Sequence, residues 1–135
     1  MTKAVRIVIE GPITPKGRPR FGNGRTYTPA KTRSYEELIG LQGRLAMRGE
    51  RPWTGPLNLT VSAYLPVPKS WSTKKRQMAL NGQIKPTSKP DMDNIIKLAD
   101  GLNGIAWEDD SQIVNVLAHK AYAADPALIF YMVAA

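Results

Sequence analysis

Between Leu57 and Leu65 every second residue is apolar: Leu57, Leu59, Val61, Ala63 and Leu65 alternate with mostly polar neighbours. A period of two fits a strand with one buried and one wet face. The chain must therefore build a sheet and supply something to cover it. Its 135 residues suit a single domain over 1–135, and an apolar fraction of 42% is enough for one core. Cysteine is absent. This excludes disulfides, zinc–thiolate sites and thiol nucleophiles, and it suits a reducing cytoplasm. One histidine, His119, excludes any site that needs two from one chain. No window approaches the roughly 20 apolar residues of a membrane span, and the N-terminus lacks the shape of a signal peptide.

Other segments fit around that strand. Val5, Ile7 and Ile9 predict a strand over 3–10, ended by Gly11-Pro12. Residues 12–30 form a loop rich in Gly, Pro and Arg, with a short strand near Arg25–Thr28. Tyr35, Leu38, Leu41 and Leu45 make an apolar stripe that predicts a helix from Thr32 to about Met47, with Gly49 as its stop. Pro66 and Pro68 close the central strand. Ser72 caps a short basic helix over Thr73–Leu80, followed by Gly82. Asp91 or Asp93 opens a further helix to about Leu102, stopped by Asn103-Gly104. Ile113–Ala123 and Leu128–Val133 read as strands joined by an Asp125-Pro126 turn. The expected class is α+β: a small mixed sheet with helices packed against it.

The formal charge of +8 is unevenly spread. Residues 1–90 carry seventeen Lys/Arg and four Glu, a balance of +13, whereas 91–135 carry two Lys and seven acids, a balance of −5. Six of those acids are Asp91, Asp93, Asp100, Glu108, Asp109 and Asp110. In Lys89-Pro90-Asp91-Met92-Asp93-Asn94, the proline disfavours helix at Lys89, so both aspartates fall at a helix entry. Asp93 and Lys97 are four apart and share a helix face. That segment is equally an acidic cap followed by an ordinary ion pair. Asp109-Asp110, before an apolar strand, are adjacent carboxylates whose repulsion a cation would relieve, or simply part of a polar turn. Together these oxygens suit hard Mg²⁺, with Mn²⁺ as a substitute. A carboxylate-held metal can activate water against a phosphodiester, with Lys97 stabilising the charge that develops.

Lys16, Arg18, Arg20, Arg25, Lys31 and Arg33, interleaved with Phe21 and Tyr27, suit contacts to phosphates and unpaired bases. Lys74, Lys75, Arg76 and Lys89 extend the basic set. His119 lies in a predicted strand and is expected to be structural; Trp53, Trp71 and Trp107 are expected to anchor packing. Gly22-Asn23-Gly24 reads as a turn. Ser111 lacks the surroundings of a nucleophile.

In order along the chain, Lys16-Gly17-Arg18-Pro19-Arg20-Phe21, Thr26-Tyr27-Thr28-Pro29, Lys31-Thr32, Tyr35-Glu36, Lys89-Pro90-Asp91-Met92-Asp93-Asn94, Lys97, Leu102-Asn103-Gly104, Trp107 and Asp109-Asp110-Ser111-Gln112 make a specific pattern. It resembles the RusA family of Holliday-junction resolvases, especially its phage and prophage branch. The resemblance implies a Mg²⁺-dependent endonuclease acting on four-way DNA junctions as a homodimer, in bacterial or phage-host cytoplasm, with no organic cofactor and no membrane partner. It assigns Asp91, Asp93 and Asp110 as catalytic metal ligands, with Asp109 beside them, and Lys97 as the catalytic lysine. Asp100 falls one position earlier than the family pattern and is left out of the site. Two other readings remain: a flap- or fork-processing nuclease of the same fold, and a non-catalytic DNA-binding module.

Overall fold

The computed structural model describes residues 3–15, 20–22, 25–27 and 30–135, with side chains described for 3–15 and 33–135. Four strands form the main sheet: β1 (Ala4–Glu10), β4 (Leu57–Pro66), β5 (Ile113–Ala123) and β6 (Ala127–Ala134). Their order is β1-β6-β4-β5. β6 runs antiparallel to both neighbours, whereas β4 and β5 are parallel. A separate hairpin joins β2 (Arg20–Gly22) and β3 (Arg25–Tyr27). The expected mixed sheet with helices is therefore present, and the strand expected near Arg25 has a partner strand before it. Asn23 and Gly24 of the expected turn lie outside the described residues.

The alternation that defines β4 does the sorting it promised. Leu57, Leu59, Val61, Ala63 and Leu65 are buried, and the residues between them face the more open side. The first four meet Ile7 and Ile9 of β1 and Leu128, Phe130 and Met132 of β6 in one core. At about 25 cal/mol per Å² of apolar surface removed from water, each such side chain contributes roughly 1.5–3 kcal/mol.

Helix α1 (Ala30–Met47) covers the β1 side of that core, but with a different face from the one its leucines suggest. Tyr35, Ile39 and Met47 are buried, while Leu38, Leu41 and Leu45 are exposed. The reason is glycine. Gly40 and Gly43 lie on the buried side, where Leu102 and Ile105 approach so closely that a Cβ on Gly43 would sit 2.6 Å from Leu102 Cδ2. The residues that weaken the helix by propensity are those that admit its neighbour. Gly49, at φ +77°, follows the helix as expected.

Parallel strands need a long crossover. Here residues 67–112 carry α2 (Thr73–Leu80), α3 (Met92–Ile96) and 3₁₀ helices over Lys97–Leu102 and Asp110–Gln112. Ser72 Oγ accepts from the Lys75 amide at 3.2 Å, so α2 begins at the expected cap. The helix expected from Asp91 to Leu102 is α-helical only to Ile96 and then tightens to 3₁₀. In that tighter part Gly101 packs against Ile39 and the Glu36 carbonyl of α1. Ile95, Leu98 and Leu102 fasten the segment to the core.

Candidate active site

Almost every acidic candidate lies on this crossover. Asp91 is the N-cap residue of α3, with extended backbone, but its side chain makes no capping hydrogen bond. Both Asp91 and Asp93 are exposed. Lys97 Nζ lies 3.8 Å from Asp93 Oδ2, the expected pair one helical turn apart. Both partners are more than half exposed, so this pair contributes well under 1 kcal/mol to stability. A lysine and two carboxylates left in water are available for other partners.

Asp110 is held differently. The Nε1–H of fully buried Trp107 donates to Asp110 Oδ1 at 2.8 Å. Trp107 is itself fixed by backbone bridges to Trp53 and Asn103. Asp109 caps the short 3₁₀ turn: its Oδ2 accepts from the Ser111 amide at 3.1 Å, and its own amide donates to Gln112 Oε1 at 2.8 Å. Hydrogen bonds from Ser111, side chain and amide, hold the Asp109 carboxyl below the ordinary carboxylate range. Gln112 Nε2 donates to the carbonyls of Trp53 at 2.7 Å and Gly55 at 3.0 Å, tying this turn to the start of β4.

The two acidic groups enter the fold at different ends of β5. Asp110 precedes Ile113, the first residue of the strand. Near Asp91, Lys120 Nζ donates to the carbonyls of Ser88 and Pro90 at 3.0 and 3.2 Å. Ile113 and Lys120 are separated by roughly 23 Å of strand at about 3.3 Å per residue. Among the described residues, no three Asp, Glu or His side chains form a ready metal site. The donors thus fit a hard cation in kind, being all carboxylate oxygen, but one chain does not gather Asp91, Asp93 and Asp110 around one ion.

The basic candidates surround the crossover and the hairpin. Lys74, Lys75 and Arg76 are exposed on α2, which packs against β5. Lys75 Nζ stands 4.0 Å over the Trp71 ring, and Trp71 meets Tyr122 of β5 edge-on at 5.4 Å. Lys89 and Arg33 are exposed. Arg20 and Arg25 belong to the β2–β3 hairpin and Lys31 to the first turn of α1; Lys16 and Arg18 lie outside the described residues. His119 is exposed and bonded through Nε2 to Ser62 Oγ at 2.6 Å. The sequence reading did not anticipate the hydrogen bonds made by Lys120, Trp107 and Gln112. Lys120 had a signal, a lone lysine within an apolar strand. Trp107 and Asp110 had another, a spacing of three across a turn. Gln112 had only its place at the end of the acidic motif.

Comparison with known proteins gives this geometry its class. The family model described as Endodeoxyribonuclease RusA matches residues 10–130, so this chain belongs to the RusA endodeoxyribonuclease family and is an endonuclease. It is also similar to the uncharacterized protein YqaN of Bacillus subtilis, at 36% identity over 90% of each chain.

Proposed function

We propose that this chain is a Mg²⁺-dependent endonuclease that resolves four-way DNA junctions as a homodimer, and that it works in the cytoplasm. Membership of the RusA family supports the nuclease chemistry. The observation that carries the reading is the exposed Asp91–Asp93–Lys97 group on α3, with the basic helix α2 packed on the same strand. Lys74, Lys75, Arg76 and Lys89 would engage phosphates and hold a junction arm. Lys97, paired loosely with Asp93 and more than half exposed, would meet the scissile phosphate and stabilise charge growing on its oxygens. Asp91, Asp93 and Asp110 would be the metal ligands, with Asp109 keeping the Asp110 turn in shape.

Separation of these acids within one chain favours a dimer. A second copy would bring its own Asp110 to the Asp91–Asp93 end of the first. A four-way junction also offers two equivalent strands to an enzyme with a twofold axis.

The test is cleavage of a labelled synthetic four-way junction, beside a flap and a linear duplex, across a magnesium titration. Magnesium-dependent cutting of the junction ahead of the other forms is expected. Asp93→Asn should abolish cutting and leave junction binding intact. Undiminished cutting by that variant overturns the site, and a preference for the flap overturns the substrate.

A further inference from the structure

We propose that Trp71, with Lys75 over its ring, receives an unpaired base of the DNA beside the scissile phosphate. The inference rests on the nuclease reading above and names the feature of a branched substrate that the site recognises. Two of the three tryptophans are core residues, Trp53 at 5% and Trp107 at 0% exposure. Trp71 lies outside the core and stays partly exposed. It stands just before Ser72, the cap of α2, with its amide bonded to the Pro68 carbonyl at 3.2 Å. Lys69, Lys74, Lys75 and Arg76 flank it in sequence, and all four are exposed.

The ring has a firm backing and a loose cover. Its backing is Tyr122 of β5, met edge-on at 5.4 Å, a favourable arrangement of two aromatic rings. Its cover is the Lys75 ammonium, 4.0 Å from the ring centre. An exposed cation over a ring is held weakly, so a phosphate can draw it away. One nucleotide carries both matching groups, a flat π face for the indole and a phosphate for the ammonium. Stacking on an aromatic side chain is open to every base, but only to a base that has left the duplex stack.

The fold puts this pair beside the acidic site. Lys120 and Tyr122 lie in register with buried Ala63 and Leu65, so both are on the covered face of β5. They are two residues apart, roughly 7 Å along a strand. Tyr122 backs Trp71, while Lys120 holds the Pro90 carbonyl next to Asp91. A strand whose phosphate sits at Asp91, Asp93 and Lys97 therefore offers a neighbouring base to Trp71. The charges here are mixed: Asp91 and Asp93 repel the phosphates that Lys74, Lys75 and Arg76 attract. Stacking adds an attraction that does not depend on that balance. Continuous duplex presents phosphates alone, whereas an open branch point also presents a base, so Trp71 favours the branch.

The test is equilibrium binding without magnesium, so that nothing is cut. The probes are a synthetic four-way junction, a linear duplex of one arm, and oligothymidylate. Because Trp53 and Trp107 are buried, iodide-quenchable emission reports Trp71. Excess oligothymidylate should shield that emission and the duplex should not. Trp71→Leu keeps apolar bulk against Tyr122 and removes the stacking face; Trp71→Tyr keeps a ring. With circular dichroism unchanged, Trp71→Leu should weaken binding of oligothymidylate and junction about 10-fold and leave duplex binding unchanged, and Trp71→Tyr should restore most of the loss. Equal losses on duplex and oligothymidylate would make Trp71 a packing residue and overturn the proposal. Emission that stays accessible to iodide in excess oligothymidylate overturns it without any variant. A protein that stacks unpaired DNA in this way but cuts no junction when magnesium is added leaves Trp71 standing and overturns the nuclease reading alone.

Discussion

The indole of Trp107 makes the sharpest test of how this fold serves the acidic site, because one atom joins the core to Asp110. Trp107→Phe keeps a buried aromatic ring and deletes the donor to Asp110 Oδ1. A hydrogen bond to a charged acceptor contributes about 1.5–3 kcal/mol. Asp110 is exposed and can rehydrate, so about 1 kcal/mol is expected at this site. The smaller ring leaves about 40 Å³ unfilled, which at about 24 cal/mol per Å³ adds about 1 kcal/mol. A total near 2 kcal/mol is a minority of the roughly 5–15 kcal/mol that holds a domain together. The variant should fold and melt a few degrees lower.

Cleavage should fall further than stability does. Freed of its tether, Asp110 samples several rotamers, and losing such an orienting partner typically costs about 10–100-fold in activity. The assay is single-turnover cutting of a four-way junction, well below the melting transition, with melting followed separately. Trp107 is a positioning residue that acts through Asp110. Asp110→Asn alone and Asp110→Asn with Trp107→Phe should therefore cut equally poorly. A Trp107→Phe protein that is less stable but cuts at the wild-type rate would reduce the indole to packing and refute the reasoning. So would additive losses in the double variant.

Two further outcomes follow from packing and burial. Gly101→Ala should lower the urea midpoint more than Gly43→Ala, although the Gly43 contact is the shorter. A Cβ at 101 meets the Glu36 carbonyl at 3.1 Å and the branched Ile39 side chain at 3.0 Å, neither able to swing away, which costs about 1–3 kcal/mol. A Cβ at 43 meets the end of a leucine, and the gain of about 1 kcal/mol in helix propensity offsets part of that clash; the reverse order would discredit this account of the interface. Tyr35 supplies the second outcome, since burial pushes its phenol up to about 12. A raised folded value means the contribution is intact below the unfolded value near 10 and is lost as pH climbs through about 12. Ultraviolet titration should show one of the five tyrosines ionising late, and Tyr35→Phe should remove that step.

What the sequence made legible is what nearest neighbours decide. Alternation over 57–65 fixed β4 and its buried face, because side-chain direction in a strand depends on parity alone. Ser72 and Gly82 bounded α2 because a cap and a left-handed turn are local events. The face of α1 was not legible. Three leucines outweighed one isoleucine and two glycines on any hydropathy scale, yet the glycines determine how closely the 97–102 segment can approach, and that segment is distant in sequence. The acidic residues were legible as a composition, and the Asp93–Lys97 pair as a spacing. Their division between the two ends of β5 was not, since it depends on where the crossover returns to the sheet.

That division gives the uneven charge of the chain a structural meaning. The parallel pairing of β4 and β5 forces a connection that leaves the sheet at one end and returns at the other. It leaves through the basic helix α2, passes Asp91 and Asp93 beside the later half of β5, and returns through Asp109 and Asp110 at its start. Each end of β5 therefore carries chemistry that the other lacks. The start of β5 is purely acidic, with Asp109 and Asp110, whereas its later half mixes Lys75 and Lys120 with Asp91 and Asp93, so the charges of the chain are sorted by where the crossover leaves the sheet and where it returns.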